Sequence, residues 1–411
     1  MKIAFLGGIF PQENVEEILK NSRGVVQSAA DALQKSILEG LGASLQDVEI
    51  INLPFLGSYP KRYTKLFSPQ NNFTFTSHYG DKNILHGKNV KFFNLSLVKY
   101  GFVYRAAKQA LMDWAKRQGS EQRIIIVYSL FGSFLKAAIA VKHKYENTKI
   151  ICVVPDLTQY TSAGGNSALR RWFKEYNIKK GKEYIKDIDG FAILSKYMAE
   201  PLEIGDRPYV VIEGIYNTFD EIEPNKSFAE SKRKKTIFYA GTLARRYGIL
   251  RLVEAFANIK DKDAELVICG EGDAKESIVE ASYIDNRIKV LGNIPRTEVL
   301  KRIHSANILV NPRTPEGEFT KYSFPSKTME YLASGTPTIL YKLPGIPEEY
   351  YEYCVALDDL SIETLRETIE KVLNEDDITA ETFGKKARAF ILNQKNPQKQ
   401  VSKLIELINK A

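Results

Sequence analysis

Apolar residues fall into short unbroken runs, separated by stretches in which they recur every three or four positions. The runs predict buried strands over Lys2–Leu6, Val48–Leu53, Val90–Leu95, Arg123–Tyr128, Lys149–Val154, Gly190–Leu194 and Tyr209–Ile212. The intervening stretches predict helices; Val103–Gln118, for example, sets Ala106, Ala110, Leu111 and Trp114 on one face. This alternation predicts the α/β class with parallel sheets. Residues 55–88 break the pattern. They are aromatic and polar (Tyr59, Tyr63, Phe67, Phe73, Phe75, Tyr79) with little periodicity, and predict a long loop that is functional or mobile.

A second series of runs covers Thr236–Ala240, Glu265–Cys269, Ile288–Leu291, Ile308–Val310 and Thr338–Leu340, again with helices between. Residues 217–235 separate the two series. They begin acidic, end Lys232-Arg-Lys-Lys235, and predict an interdomain linker. At 411 residues two domains are the natural expectation, with boundaries at 1–216 and 236–396. Each half opens with a strand running into glycine, Phe5-Leu-Gly7-Gly8 and Phe238-Tyr-Ala-Gly241. The segment Pro397–Ala411 predicts one more amphipathic helix (Val401, Leu404, Ile405, Leu407, Ile408).

Composition narrows the class. Hydrophobic residues make up 44% and charged residues 26%, which is enough for large cores under a soluble surface. No apolar run approaches the roughly 20 residues of a membrane span. Met1-Lys-Ile-Ala-Phe-Leu-Gly7-Gly8 reads as a buried strand rather than a signal peptide. The three cysteines (Cys152, Cys269, Cys354) have no metal-ligand spacing, and a reducing cytoplasm is expected. The net charge of +8 admits nucleic acid, an anionic membrane or a phosphorylated substrate, besides a basic surface with no partner. No zinc-finger spacing, nucleic-acid signature or basic tail supports the first.

The richest stretch is Tyr322-Ser-Phe-Pro-Ser-Lys-Thr-Met-Glu330-Tyr-Leu-Ala-Ser-Gly335-Thr-Pro337. Phe324-Pro325-Ser326 predicts a helix start, with Ser323 as its cap and Pro325 in the first turn. Met329, Leu332 and Ala333 form its buried stripe, and Gly335 with Pro337 ends it before the strand Thr338–Tyr341. A helix N-terminus with free donors and Lys327 suits a phosphate, and Glu330 one turn on suits sugar hydroxyls. Three strand-end loops extend the case. Tyr239-Ala-Gly-Thr-Leu-Ala-Arg245-Arg246-Tyr-Gly248 sets two arginines before a helix start, where guanidinium groups can hold a diphosphate. Val267-Ile-Cys-Gly270-Glu-Gly272-Asp273 permits close backbone approach, and Leu291-Gly-Asn293-Ile294-Pro295 ends a strand in a turn that can meet a nucleobase edge. Each feature alone also occurs without a ligand; together they gather at the edge where open parallel sheets bind ligands.

In this order, residues 236–345 resemble the donor-binding half of the retaining GT-B glycosyltransferases. The relevant group is the large glycosyl transferases group 1 family, which includes sucrose synthase-like enzymes and bacterial polysaccharide transferases. Asp189-Gly-Phe-Ala-Ile-Leu-Ser-Lys-Tyr-Met198 and Val211-Ile-Glu-Gly214 resemble the end of that family's first domain. The resemblance implies two Rossmann-like domains facing across a cleft and closing over the donor, with the last helix crossing back to the first domain. It implies transfer of a sugar from a nucleoside-diphosphate sugar to a saccharide or polyprenyl-diphosphate-linked acceptor, with retention. It also implies a role in bacterial cell-surface polysaccharide synthesis, with no metal and no cofactor. Carried over by position, Glu330 takes the ribose. Gly241, Thr242, Arg245, Gly270, Gly272, Asn293, Ile294, Tyr322, Ser323, Phe324 and Ser326 line the donor, and Arg246 and Lys327 hold the diphosphate. Four positions depart from the family. Tyr322 replaces the first of its two glutamates, and Pro325 replaces a glycine. The usual arginine and lysine fall at Thr242 and Tyr247, so Arg245 and Arg246 must substitute for them.

On the first domain Gly7 and Gly8 resemble the family's loop toward the acceptor, and Asp156 at a strand end either orients the acceptor hydroxyl or caps a turn. His78, in the aromatic loop, is a further acceptor candidate; His86, His143 and His304 form no motif. Residues 168–186 set Leu169, Trp172, Phe173 and Tyr176 at helical spacing among basic residues, which suits either an anionic membrane surface or packing on the domain. A cytoplasmic protein, peripheral at the inner face of the membrane, follows from the first. A non-catalytic nucleotide-sugar-binding subunit, a nucleotide-sugar epimerase and a phosphorylase are the rivals. A nicotinamide dehydrogenase is disfavoured because Gly-x-Gly-x-x-Gly is missing after the first strand.

Overall fold

The computed structural model describes residues 1–157, 181, 183–218 and 235–410. Most of the basic aromatic stretch 168–186, and most of the linker expected over 217–235, lie outside the described residues. The chain forms two compact units, Met1–Ile215 with Pro397–Ala411, and Tyr216–Asn396.

The first unit is built on an eight-stranded sheet, β3-β4-β2-β1-β5-β6-β7-β8. Its strands are β1 (Lys2–Gly7), β2 (Val48–Asn52), β3 (Asn72–Thr76), β4 (Ile84–Asn89), β5 (Arg123–Tyr128), β6 (Thr148–Val154), β7 (Gly190–Ile193) and β8 (Tyr209–Val211). All neighbours are parallel except β3 and β4, which form an antiparallel hairpin. The hairpin lies inside the stretch expected to be loop, and Val90–Leu95 is not a strand. β4 alternates strictly between exposed and buried positions, but of its buried residues, Leu85, Gly87 and Asn89, only the first is aliphatic. Asn89 is accommodated because Asn14, Asn52 and Asn71 all hydrogen-bond to it. Beyond it the apolar run bonds to loop groups instead of a strand ladder; Asn94 N donates to Leu66 O (2.8 Å) and Phe92 N to Ser68 Oγ (2.8 Å).

Helices α1 (Gln12–Asn21), α2 (Ser28–Gly42), α3 (Lys99–Arg117) and α4 (Gly132–Lys142) flank this sheet. In α3 the buried stripe is Val103, Ala107, Leu111 and Trp114, one residue out of phase with the expected Ala106 and Ala110. The last helix, α11 (Pro397–Lys410), returns to the first unit as expected. Val401, Leu404, Leu407 and Ile408 join Ile3, Ile37, Leu41 and Ile124 in one core. Gly40 makes the α2–α11 contact possible, because a Cβ there would lie 2.4 Å from both the Val401 Cβ and the Pro397 carbonyl.

Lys99, in the first turn of α3, is buried, with Nζ donating to Leu56 O (2.5 Å) beneath the Phe92 ring. Desolvation lowers its pKa from 10.5 to about 8. The folded state therefore holds this proton less tightly than the unfolded chain. The burial cost is full below pH 8 and is relieved as pH rises to about 10.5. Relative to Lys99→Met, the wild type should gain up to about 3 kcal/mol across that window. Urea unfolding of both proteins at either end of the window measures the difference.

The second unit carries a fully parallel sheet, β11-β10-β9-β12-β13-β14. Its strands are β9 (Lys235–Ala240), β10 (Ala264–Cys269), β11 (Ile288–Gly292), β12 (Ile308–Asn311), β13 (Thr338–Tyr341) and β14 (Val355–Leu357). Between and after them run α5 (Ile249–Ala257), α6 (Lys275–Ile284), α7 (Arg296–Ser305), α8 (Lys327–Ser334), α9 (Ile362–Leu373) and α10 (Asp377–Gln394). Successive residues of β9 enter opposite layers. Ile237 and Tyr239 pack with Leu252 and Phe256, while Phe238 and Ala240 pack with Val267 and Tyr331. Burial on both faces is why β10, β12 and β13, and β9 beyond its first two residues, read as apolar runs. All three cysteines are buried and unpaired, and burial pushes the Cys269 thiol up to about 11.

Candidate functional site

The strand order of the second unit reverses between β9 and β12, so the loops leaving these two strands diverge from one crevice at the carboxyl edge of the sheet. The loop after β9 is held from below. Gly241 N donates to Cys269 O (3.0 Å), Leu243 N to Glu271 O (2.9 Å) and Ala274 N to Leu243 O (2.8 Å). The Tyr331 hydroxyl, buried on α8, accepts from Ala240 N (2.9 Å) and donates to Ala240 O (3.2 Å). This ties the helix bearing Lys327 and Glu330 to the strand that ends at Gly241.

Arg245 and Arg246 lie in a short 3-10 turn over Arg245–Tyr247 and then diverge. Arg245 Nη2 donates to Ser277 Oγ (2.6 Å) on α6, and its backbone N–H donates to Asp273 Oδ1 (2.8 Å). Arg246 lies over the rings of Tyr247 (5.0 Å) and Phe319 (5.5 Å). Arg313, in the loop after β12, lies over the same two rings at 5.1 and 4.8 Å. Its Nη2 donates to Ser323 Oγ (2.8 Å), and its buried Nε has no acceptor among the described residues. Burial lowers the Arg313 pKa, and the neighbouring Arg246 charge lowers it further, against opposing contributions from Tyr247 and Tyr239. Two guanidinium groups held close together, one partly desolvated with an unsatisfied donor, make a strong site for a multivalent anion.

Lys327 is the first residue of α8, and its Nζ donates to Glu330 Oε2 (2.5 Å). Arg296 at the start of α7 donates to the other carboxylate oxygen (3.1 Å). Glu330 is thus set between two cations, with little solvent exposure. Ser323 does not cap this helix. Its hydroxyl donates to Phe319 O and accepts from Arg313, while Ser326 occupies the cap position with no side-chain bond to the backbone. Phe324 packs in the core against Tyr350 (5.2 Å), so only its backbone is available to a ligand. The Tyr322 hydroxyl donates to Glu318 (3.2 Å). Thr242 is exposed in the β9 loop, and its carbonyl accepts from Tyr239 (2.9 Å). Gly270 N donates to Gly292 O (2.9 Å), and Gly272 follows at the exposed turn. Asn293 is exposed beside them, and Ile294 packs against the cluster that contains Cys269 and Tyr331.

The candidates of the first unit are less united. Gly7 and Gly8 end β1 but are buried, and Gly8 N is taken up by Gln34 Oε1 (2.8 Å). Asp156 follows β6 at the same sheet edge and is open to solvent, while protein packed beneath its carboxyl raises its pKa. His78 does not join them. Its Nδ1 pairs with Glu39 (2.8 Å) near the end of α2, and the loop it begins bonds back to Gly42 and Ala43, at the opposite edge of the sheet.

Arg313 and Arg296 were not singled out in the sequence, although each had a signal. Arg313 follows the run Ile308–Val310 at a strand end, as Arg245 follows another, and Arg296 follows the Leu-Gly-Asn-Ile-Pro turn.

Two doubly wound α/β units, with the C-terminal helix returning to the first, define the GT-B fold. Residues 220–409 match the glycosyl transferases group 1 family. The matched stretch spans nearly all of the second unit and the last helix. Solved structures are similar along its whole length. Sucrose-phosphate synthase from Thermosynechococcus elongatus matches with a TM-score of 0.62 at 15% identity, covering 100% of this chain and 99% of that one. Anabaena HepE in complex with UDP matches with a TM-score of 0.62 at 12% identity, covering 100% of both. The catalytic domain of Arabidopsis thaliana starch synthase IV, bound to ADP and acarbose, matches with a TM-score of 0.60 at 10% identity, covering 100% of this chain and 99% of that one. No curated protein matches the chain at the level of sequence.

Proposed function

We propose that the second unit binds a nucleoside-diphosphate sugar and that the chain transfers its sugar, with retention and without a metal, to a saccharide or polyprenyl-diphosphate-linked acceptor met by the first unit. The observation that carries this reading is the Arg246–Arg313 pair at the switch point, with its unsatisfied donor. As the bond from the anomeric carbon to the diphosphate breaks, charge builds on the leaving oxygen. The two guanidinium groups and Lys327 stabilise it, and the acceptor oxygen forms the new bond as its proton passes to the leaving diphosphate oxygen. Glu330 takes the ribose hydroxyls, which loosens its hold on Lys327 and frees that ammonium for the diphosphate. The backbone at Gly241, Thr242, Gly270 and Gly272 approaches the donor, and Asn293 and Ile294 meet the base. Asp156 orients the acceptor hydroxyl.

The setting we propose is bacterial cell-surface polysaccharide synthesis at the cytoplasmic face of the membrane. The resemblance to polysaccharide transferases supports it, and no helix among the described residues is long and apolar enough to cross a membrane.

Thermal unfolding with UDP, GDP, ADP and CDP, each with and without chelator, tests the donor reading. One diphosphate should raise the melting temperature without a metal, with stabilisation of about 2.7 kcal/mol at a hundredfold excess over its Kd. The shift should vanish in Arg246→Ala and Glu330→Ala. No shift with any of the four would refute the reading, whereas a shift without turnover on any acceptor would leave a binding subunit.

A further inference from the structure

The first unit exposes a patch that donor binding does not use. The turn before α3 and the helix's first residues present Leu97 (94% exposed), Tyr100 (59%) and Phe102 (38%), and Phe67 (46%) lies alongside. The rings form a continuous file, with Phe67 5.5 Å from Phe93 and Phe93 5.2 Å from Phe102. Tyr100 packs edge-on to Phe131 (5.7 Å), and Ser133 Oγ donates to its carbonyl (2.9 Å), so the turn is a fixed projection. An exposed aliphatic side chain among aromatic tips is an unusual surface for water to cover.

Basic side chains border it. Lys91 lies 4.6 Å from the Phe67 ring centre, Arg105 6.0 Å from Phe102, and Lys136 4.6 Å from Tyr104. Acidic residues are missing from this part of the chain: neither 82–112 nor 122–145 contains an Asp or a Glu.

We propose that this patch docks the protein on an anionic lipid surface. Leu97 and the aromatic tips enter the interface, and Lys91, Arg105 and Lys136 meet lipid phosphates while their stems lie along the rings. The charge pattern selects the partner, since Lys91, Arg105 and Lys136 attract an anionic surface and repel a cationic one. The leading aliphatic residue favours acyl chains over nucleobases, which would stack on the rings alone. The proposal is independent of the donor reading, because docking requires no transfer.

Flotation of the full chain with phosphatidylcholine vesicles, with or without phosphatidylglycerol, tests it. The wild type should bind the anionic vesicles at least roughly tenfold better than the neutral ones, and lose that binding in high salt. Both Leu97→Glu/Tyr100→Ser and Lys91→Glu/Lys136→Glu should lower binding about tenfold. Their melting temperatures and nucleoside-diphosphate shifts should stay unchanged, which separates docking from the donor site. Residues 158–180 are intact in both variants, so binding that survives in them would assign docking elsewhere and overturn the proposal. Equal binding to neutral vesicles, or binding of a single-stranded oligonucleotide in place of vesicles, would overturn it as well.

Discussion

Replacing Arg313 by alanine should reduce sugar transfer about 10²- to 10³-fold, the loss expected when one preorganised donor to a developing anion is removed. Arg313 is the more buried partner of the arginine pair, and its Nε lacks an acceptor among the described residues, so it offers a donor that a diphosphate can satisfy. Arg313→Lys should recover little, because an ammonium cannot reproduce the planar fork that the Tyr247 and Phe319 rings hold in place. Stability should fall by only about 1 kcal/mol, through the lost ring contacts. Steady-state transfer, nucleoside-diphosphate affinity and urea unfolding of the same variants distinguish the two roles. Full affinity and transfer combined with a large loss of stability would make Arg313 a structural residue.

Gly270→Ala should cost about 4 kcal/mol and abolish donor binding. Gly270 has φ +139°, a region that side chains rarely enter, and its Cβ would stand 1.8 Å from the Gly241 carbonyl oxygen. The strained backbone and the overlap each cost roughly 1–3 kcal/mol. No rotamer relieves a clash with backbone, so the β9 and β10 loops must separate, carrying Arg246 away from Arg313. Both tryptophans, Trp114 and Trp172, precede residue 216, so far-UV circular dichroism is the suitable probe for the second unit. Wild-type stability in the variant would show that the two loops are loosely joined.

The sequence was most legible where physics left one choice. Apolar runs placed all but β14 of the second sheet, most clearly where burial on both faces leaves the strand mostly apolar. The i, i+3 spacing of Lys327 and Glu330 put them side by side. The β3–β4 hairpin stayed hidden because its inward positions include Gly87 and Asn89, and Asn89 is tolerable only through bonds to asparagines from three distant segments. Ser323 has the right chemistry and position for a cap, but Arg313 engages its hydroxyl, and that partner comes from another loop. In the sequence His78 and Gly8 both read as loop residues; only the topology shows that they occupy opposite edges of the sheet. Local rules read local features, whereas the site is made by which strand ends become neighbours.

The return of α11 to the first unit also orders the birth of the protein. During synthesis residues 1–215 emerge first, yet the face of their core that meets Val401, Leu404, Leu407 and Ile408 stays bare until the last helix leaves the ribosome. Residues 216–396 are contiguous and can close while the first unit waits. The earlier-made half of the polypeptide is therefore the later-finished one, and a chain stalled between the two carries a complete second unit tethered to an open, adhesive sheet.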